Sequence, residues 1–307
     1  MRRVAVCLLA VAAMFLGIIG TGSTAGAAPG DKTLTVSPAT TKPTIDPGAS
    51  IHGTFQIINQ GEQDFSVTIY SAPYSVQGEE YTPDFTALPG HANVADWLKF
   101  TTAGADSKPG QALTVGYTLS VPAGTQPGGY YAVAFAETKA PPNQGVVINE
   151  RVGEIFYITV SGPVKQAGKL TSWSVPFLQK QPLTSTVRLE NDGGVHYASN
   201  VQIVVSDVFG RAKFTLNTQK EILPETIRRI PATWANAPPL GLFKVTGSAT
   251  IVDAKEQLPT RYVLVMAPAV RIIFAGIILL ILLFGLYRLL RRRRRAHKRS
   301  PAPDMGT

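Results

Sequence analysis

One cysteine, four histidines and a charged fraction of 16% leave this 307-residue chain short of the residues that carry most enzymatic chemistry. Cys7 lies inside the first apolar run, ahead of the segment that reads as the mature protein. With the leader removed no thiol remains, which excludes disulfides, thiolate nucleophiles and thiolate metal sites. His52, His91 and His196 each lack a His, Asp or Glu two, three or four residues on, so none has the spacing of a zinc site. No G-x-S-x-G elbow and no G-x-x-x-x-G-K-[ST] loop occurs. Gly124–Gly129 is glycine-rich, but it lies between two strand patterns, where a hairpin turn accounts for it; phosphate cradles lead into a helix. Glu79-Glu80, with Tyr81 and Asp84, supplies neighbouring carboxylates. It reads as a solvated loop, since adjacency in sequence does not set the separation of an acid–base pair and the alternating calcium-loop pattern is missing. The expectation is a non-enzymatic protein without a cofactor or metal.

Also scarce is charge imbalance where it would matter. The formal charge is +9, yet residues 29–270 hold 18 Lys/Arg against 19 Asp/Glu. The excess sits at the two ends, so a nucleic-acid surface is not expected. Long apolar runs are likewise confined to the ends. Arg2-Arg3, the apolar stretch Val4–Ile19 and the small-residue segment closing on Ala25-Gly26-Ala27 form a secretory signal peptide, with cleavage at Ala27 or Ala28. Near the other end Ile272–Leu286 is uninterrupted by any polar side chain, and Tyr287, Arg288, Leu289 and Leu290 lead into Arg291-Arg292-Arg293-Arg294-Arg295. The nineteen residues from Ile272 cover about 28 Å as a helix, near the ~30 Å of a bilayer core. Arg288 snorkels, and Arg291 to Arg295 mark the cytoplasmic side and meet lipid headgroups.

Between the ends, 3.6-residue periodicity is absent and period two takes over. Ser50–Asn59, Phe65–Tyr70, Leu113–Val121, Tyr130–Glu137 and Val146–Val160 read as strands. So do Leu170–Phe177, Ser185–Glu190, Ala198–Val208, Ala212–Leu216, Arg228–Trp234, Phe243–Ile251 and Leu258–Val265. Gly/Pro/Asn turns punctuate them, and Ser161–Ala167 breaks the series in two. The expected architecture is all-β: two immunoglobulin-like β-sandwich domains in tandem plus one C-terminal transmembrane helix. The divisions fall at a signal peptide over 1–28, a first sandwich over 29–162, a second over 163–267, a span over 268–290 and a basic cytoplasmic tail over 291–307. Trp97, Trp173 and Trp234 are expected in cores. In Tyr130-Tyr131 one ring should face in and the other out. Tyr74, Tyr81 and Phe85, on the polar excursion after the second strand, are the candidate ligand-binding residues, because Tyr and Phe give large contact area.

In the first half Ile58-Asn59-Gln60-Gly61, Trp97-Leu98, Pro109-Gly110-Gln111, Val121-Pro122 and Pro127-Gly128-Gly129-Tyr130-Tyr131 resemble the motifs of immunoglobulin-like bacterial surface domains. In the second half Leu189-Glu190-Asn191-Asp192-Gly193-Gly194-Val195-His196, Val208-Phe209-Gly210, Ile222-Leu223-Pro224, Arg228 and Trp234 look similar. With the leader, the span and the basic tail, they make a chain that resembles the WxL-interacting proteins of Gram-positive cell surfaces, which are akin to fimbrial-chaperone-like domains. The resemblance implies a bacterial, single-pass protein of the cell membrane with residues 29–270 outside, binding peptidoglycan or a partner surface protein. Three other readings stay open: a membrane-tethered chaperone or assembly factor presenting a sheet edge to exported subunits, a sensor, and a cell-wall hydrolase.

Overall fold

The computed structural model of the chain describes residues 34–62, 64–87, 93–139 and 150–297. The leader with Ala27 and Ala28, His91, and the tail beyond 297 lie outside the described residues.

Twelve strands build the first half: β1 (Leu34–Ser37), β2 (Thr40–Thr41), β3 (Thr44–Ile45), β4 (Ser50–Asn59), β5 (Phe65–Pro73), β6 (Ser75–Gln77), β7 (Thr82–Asp84), β8 (Leu98–Phe100), β9 (Gly104–Ser107), β10 (Ala112–Ser120), β11 (Gly128–Thr138) and β12 (Arg151–Val160). One sheet runs β1-β4-β10-β8. The facing sheet runs β2-β12-β11-β5-β9, with β3 also on β12. Alternation decides what fills the space between them. Phe55 and Ile57 of β4, Val115 and Leu119 of β10, Val67 of β5 and Phe156 and Ile158 of β12 are all buried in one cluster. Each fully buried side chain of this size contributes about 1.5–3 kcal/mol relative to exposure, which lets a chain without disulfides hold two sandwiches.

The second half repeats the plan with β13 (Gly168–Ser174), β14 (Leu178–Gln179), β15 (Leu183–Asn191), β16 (Tyr197–Asp207), β17 (Ala212–Ile222), β18 (Thr226–Trp234), β19 (Leu240–Ile251) and β20 (Ala254–Met266). A three-stranded sheet β13-β15-β18 faces a five-stranded sheet β14-β20-β19-β16-β17. Leu183, Val187 and Leu189 pack from one side against Val201, Ile203, Val245 and Val263 from the other. Both halves share a topological device: a first strand in one sheet, then a switch to the other sheet to lie parallel with the last strand. β2 and β3 do this on β12, and β14 does it on β20. Both also share a buried asparagine. Asn59 and Asn191 are fully buried, and each Oδ1 accepts the N–H of the glycine two residues on, Gly61 and Gly193. The repeated N-x-G is thus an Asx turn closed inside the fold.

Trp97 and Trp173 are buried, as expected, and Trp234 lies partly buried against Phe243 and Phe214. Some element limits differ from the sequence reading. The stretch at Asn93 begins as a 3-10 turn, Val94–Trp97, before β8. β17 continues past Leu216 to Ile222, because edge strands tolerate the polar run Asn217–Glu221 that hides the pattern. After β20 only Ala267 intervenes before a helix, α1, over Pro268–His297. Proline suits the first helical turn, where its missing N–H leaves no bond unmade. Starting at Pro268 rather than Ile272 gives 23 apolar-rich residues to Leu290, about 34 Å of helix, long enough to cross a bilayer.

Candidate functional site

The excursion after β5 is not a loop. β6 and β7 form a two-stranded hairpin, with Val76 opposite Pro83, and its turn reaches the second sandwich. There β15 and β18 place Arg188 and Arg229 directly opposite each other, an unfavourable pairing of like charges. The hairpin supplies the counter-charges. Glu79 takes Arg188 in a two-point contact, Arg188 Nε to Glu79 Oε2 at 2.7 Å and Nη2 to Oε1. Glu80 lies 2.5 Å from Arg229 Nε. The backbone joins in, since Arg229 N–H donates to the Glu79 carbonyl at 2.8 Å. The adjacent glutamates are therefore neither a catalytic pair nor a calcium loop: they face a pair of arginines across the domain boundary. Asp84 is turned the other way. Its carboxylate accepts from Thr86 N–H at 2.9 Å and Gln77 Nε2 at 2.7 Å, and the Thr86 N–H above all holds its carboxyl below the usual range.

Beneath the charges lies an aromatic layer. Tyr74, Tyr81 and Tyr157 bury together with Leu223, flanked by Phe85, Tyr131 and Ile155. Tyr74 is 8% exposed and Tyr81 is 6%, so these two candidate residues face inward, while Phe85 is half-buried. Tyr81 has φ of 60°, a left-handed conformation that a bulky side chain adopts only when its surroundings compensate for the strain. Here the phenol is anchored at three points. Leu223 N–H donates to Tyr81 Oη at 3.0 Å, the Thr226 hydroxyl bonds the same oxygen, and the Arg228 guanidinium stacks 4.1 Å from the ring centroid. Burial pushes the Tyr74, Tyr81, Tyr131 and Tyr157 phenols above their ordinary pKa, so the layer is uncharged.

The Tyr130-Tyr131 alternation holds, but neither ring points freely to water. Tyr130 lies 4.9 Å from Trp97 in the sandwich. Tyr131, on the opposite face, meets Tyr157 and His196 at 5.8 and 5.6 Å. His196 N–H donates to Tyr131 Oη at 3.1 Å, and burial lowers the imidazole pKa so that it is neutral. His52 is exposed, with Nδ1 2.9 Å from Thr118 Oγ1 across the strand pair. Among the described residues no group of three or more His, Cys, Asp or Glu could hold a metal.

Two further features define what the surface offers. On the first sandwich, β5 and β8 line an open groove of about 270 Å³ with Ile69, Tyr70, Leu98, Lys99 and Phe100. At the other end of the chain, Arg288 stacks 5.0 Å from Phe284 on α1, and Arg291 to Arg295 continue the same helix.

No family model and no curated protein sequence matches the chain. Solved structures do. A chain of the CsuC–CsuE chaperone–tip adhesion subunit complex of Acinetobacter baumannii is 14% identical, covering 76% of this chain and 99% of its own, with a TM-score of 0.39. The class 5 fimbriae chaperone CfaA is 11% identical over 77% of this chain and all of its own, with a TM-score of 0.38. A PapD-like domain of human CEP192 is 16% identical over 46% of this chain and 93% of its own, with a TM-score of 0.32.

Proposed function

We propose that this chain is a single-pass surface protein of the WxL-interacting type, whose two sandwiches are exported and held close to the cell membrane to bind wall polymer or a partner surface protein. The observation that carries the reading is the hand-over from β20 to α1 across one residue, with five arginines closing the apolar helix. In that order of segments, residues 1–28 are the leader, 29–162 and 163–267 the two outer domains, 268–290 the span and 291–307 the inner tail. Binding is non-enzymatic. Tyr81 and Tyr74 serve it by fixing one sandwich against the other, with Phe85 bracing Tyr74 from within the first, so that groups from both domains meet a partner at constant spacing.

The test is sedimentation of the purified full chain with insoluble peptidoglycan, alongside crosslinking on intact cells. Stable co-sedimentation without soluble fragments, or one dominant crosslinked surface protein, is the expected result. Released fragments would overturn the non-enzymatic reading, and a chain recovered without its membrane after carbonate washing would overturn the anchor.

A second reading, an assembly factor for exported subunits, is favoured by β17. This strand of eleven residues lies at the edge of its sheet, where an incoming strand could add by backbone pairing. Lys213 and Lys220 on it guard against unselective pairing. Crosslinks that cluster on β17 and trap unfolded clients would favour this reading over wall binding.

A further inference from the structure

The second sandwich carries an exposed apolar end that neither core covers. β19 and β20 pair Leu242 with Leu264 and Leu240 with Met266, while β14 sets Leu178 against Leu264 from the other side. Strand alternation buries Phe243, Val263 and Val265, so this leucine row occupies the outer face. The turn after β16 starts one residue beyond the Asp207–Phe243 pair, on the side of Leu242. It ends in Phe209, 81% exposed. That tip is held rigidly, since Asp207 Oδ1 accepts the N–H groups of Phe209 and Arg211, both at 2.9 Å.

Three observations say what covers this end. It is the end from which α1 departs: Met266 is two residues from Pro268, Ala267 N–H donates to the Pro239 carbonyl at 2.7 Å, and Arg271 Nε donates to the Met266 carbonyl at 3.0 Å. A chain leaving a bilayer there has no length in which to lift the sandwich away. The apolar row is rimmed by exposed Lys180, Arg211, Lys213 and Lys244. Among the described residues at this end the acid is Asp207, which is bridged to Lys213 at 3.2 Å. Lastly Tyr262 is exposed one row further from the helix, and tyrosine is a residue that collects at membrane–water interfaces.

We propose that this end is a membrane seat: Phe209 and the Leu178–Leu264–Leu242 row enter the headgroup region while Lys180, Arg211, Lys213 and Lys244 engage anionic lipid headgroups. The inference rests on the membrane-anchored reading above. It adds that the lipid surface, and not the linker alone, sets how the two sandwiches stand.

Phe209→Cys in the full chain lacking Cys7 offers a single thiol for an environment-sensitive fluorophore, and Ile281→Cys provides the same label within the span. Both are reconstituted in vesicles of phosphatidylcholine with or without phosphatidylglycerol, with Asp253→Cys, on the opposite end of the sheet, as the exposed reference. The expected result is a blue-shifted label at position 209 in anionic vesicles, quenched by shallow spin-labelled lipid and reversed in part by salt, with position 253 remaining wet. A wet label at 209 beside a dry label at 281 would sink the seat but leave the anchor. Wet labels at both would remove the anchor itself. A shift at 209 that follows the protein-to-lipid ratio would assign the face to a second copy of the chain and overturn the lipid proposal.

Discussion

Tyr81 shows how one side chain outweighs the ion pairs around it. Glu79–Arg188 and Glu80–Arg229 are partly exposed, and such pairs contribute roughly 0–1 kcal/mol each. The Tyr81 phenol satisfies the buried N–H of Leu223, and leaving such a donor unpaired costs about 1–3 kcal/mol. Tyr81→Phe is therefore expected to lower stability by about 1–2 kcal/mol and Glu79→Ala by less, measured as shifts in denaturant midpoint at constant slope. Glu154 is the other residue with a disproportionate effect. It is fully buried on β12, with Oε1 accepting from the Thr41 hydroxyl at 2.5 Å, and Oε2 has no hydrogen-bond partner. Burial pushes its carboxyl up to about 7 from 4.5. Because the folded value is raised, folding favours the protonated acid. Its stabilisation is complete below about pH 4.5 and is lost as the pH rises through about 7. Glu154→Gln should flatten that slope, with a gain of up to about 3 kcal/mol at pH 8 and little change at pH 4. Equal pH profiles for the two proteins would refute this.

At the scale of elements, the β6–β7 hairpin couples the sandwiches more than the linker does. The linker contributes Gly162 at φ of 136°, where a Cβ would strike the Pro127 ring, and the Lys165 and Ala167 carbonyls, which accept the N–H groups of Gly194 and Asp192 at 2.9 and 3.0 Å. The hairpin contributes the Tyr81 contacts and the charge pairs, and Lys42 adds an ion pair to Glu221 at the end of β17. Replacing Gly78–Tyr81 by Asn-Gly keeps a two-residue hairpin turn and removes the contacts. Both sandwiches should stay folded, but unfolding should separate into two transitions, and protease should cut between them near 161–167. A single cooperative transition in this variant would show that the linker and the remaining contacts, Tyr131 with His196 and Lys42 with Glu221, suffice without the hairpin.

For the whole molecule, the topology and reach proposed above rest on the two ends of the chain. Protease added outside intact cells should leave 262–271 uncut, since β20 is paired from Arg261 to Met266 and passes into α1 after one residue. A C-terminal tag should be protected in the same experiment. Replacing Arg291 to Arg295 by alanine should produce a mixed orientation with part of the tag accessible, because cytoplasmic Lys/Arg set the direction of insertion. An unchanged, fully protected tag would place the orienting signal elsewhere.

The strand-rich class, the two-sandwich plan and the apolar C-terminal helix were legible in the sequence because each rests on a local period. Alternation marks half-buried strands such as β10, and an unbroken apolar run marks α1. Local patterns could not reveal what the polar excursion at Tyr74–Phe85 is for. Its glutamates and tyrosines look like a solvated recognition loop until β15 and β18, more than a hundred residues away, bring Arg188, Arg228 and Arg229 beneath it. Nothing local pairs Glu79 with Arg188 or Glu80 with Arg229, and charge complementarity alone does not choose a partner. The same holds for Leu178, Phe209, Leu242 and Leu264. Each is an ordinary exposed apolar residue in sequence, and only the register of four strands sets them side by side at the end from which the helix leaves. Burial and adjacency across long separations are properties of the folded chain, so the tertiary structure decided which aromatic residues join the domains and which apolar ones stay uncovered by either core.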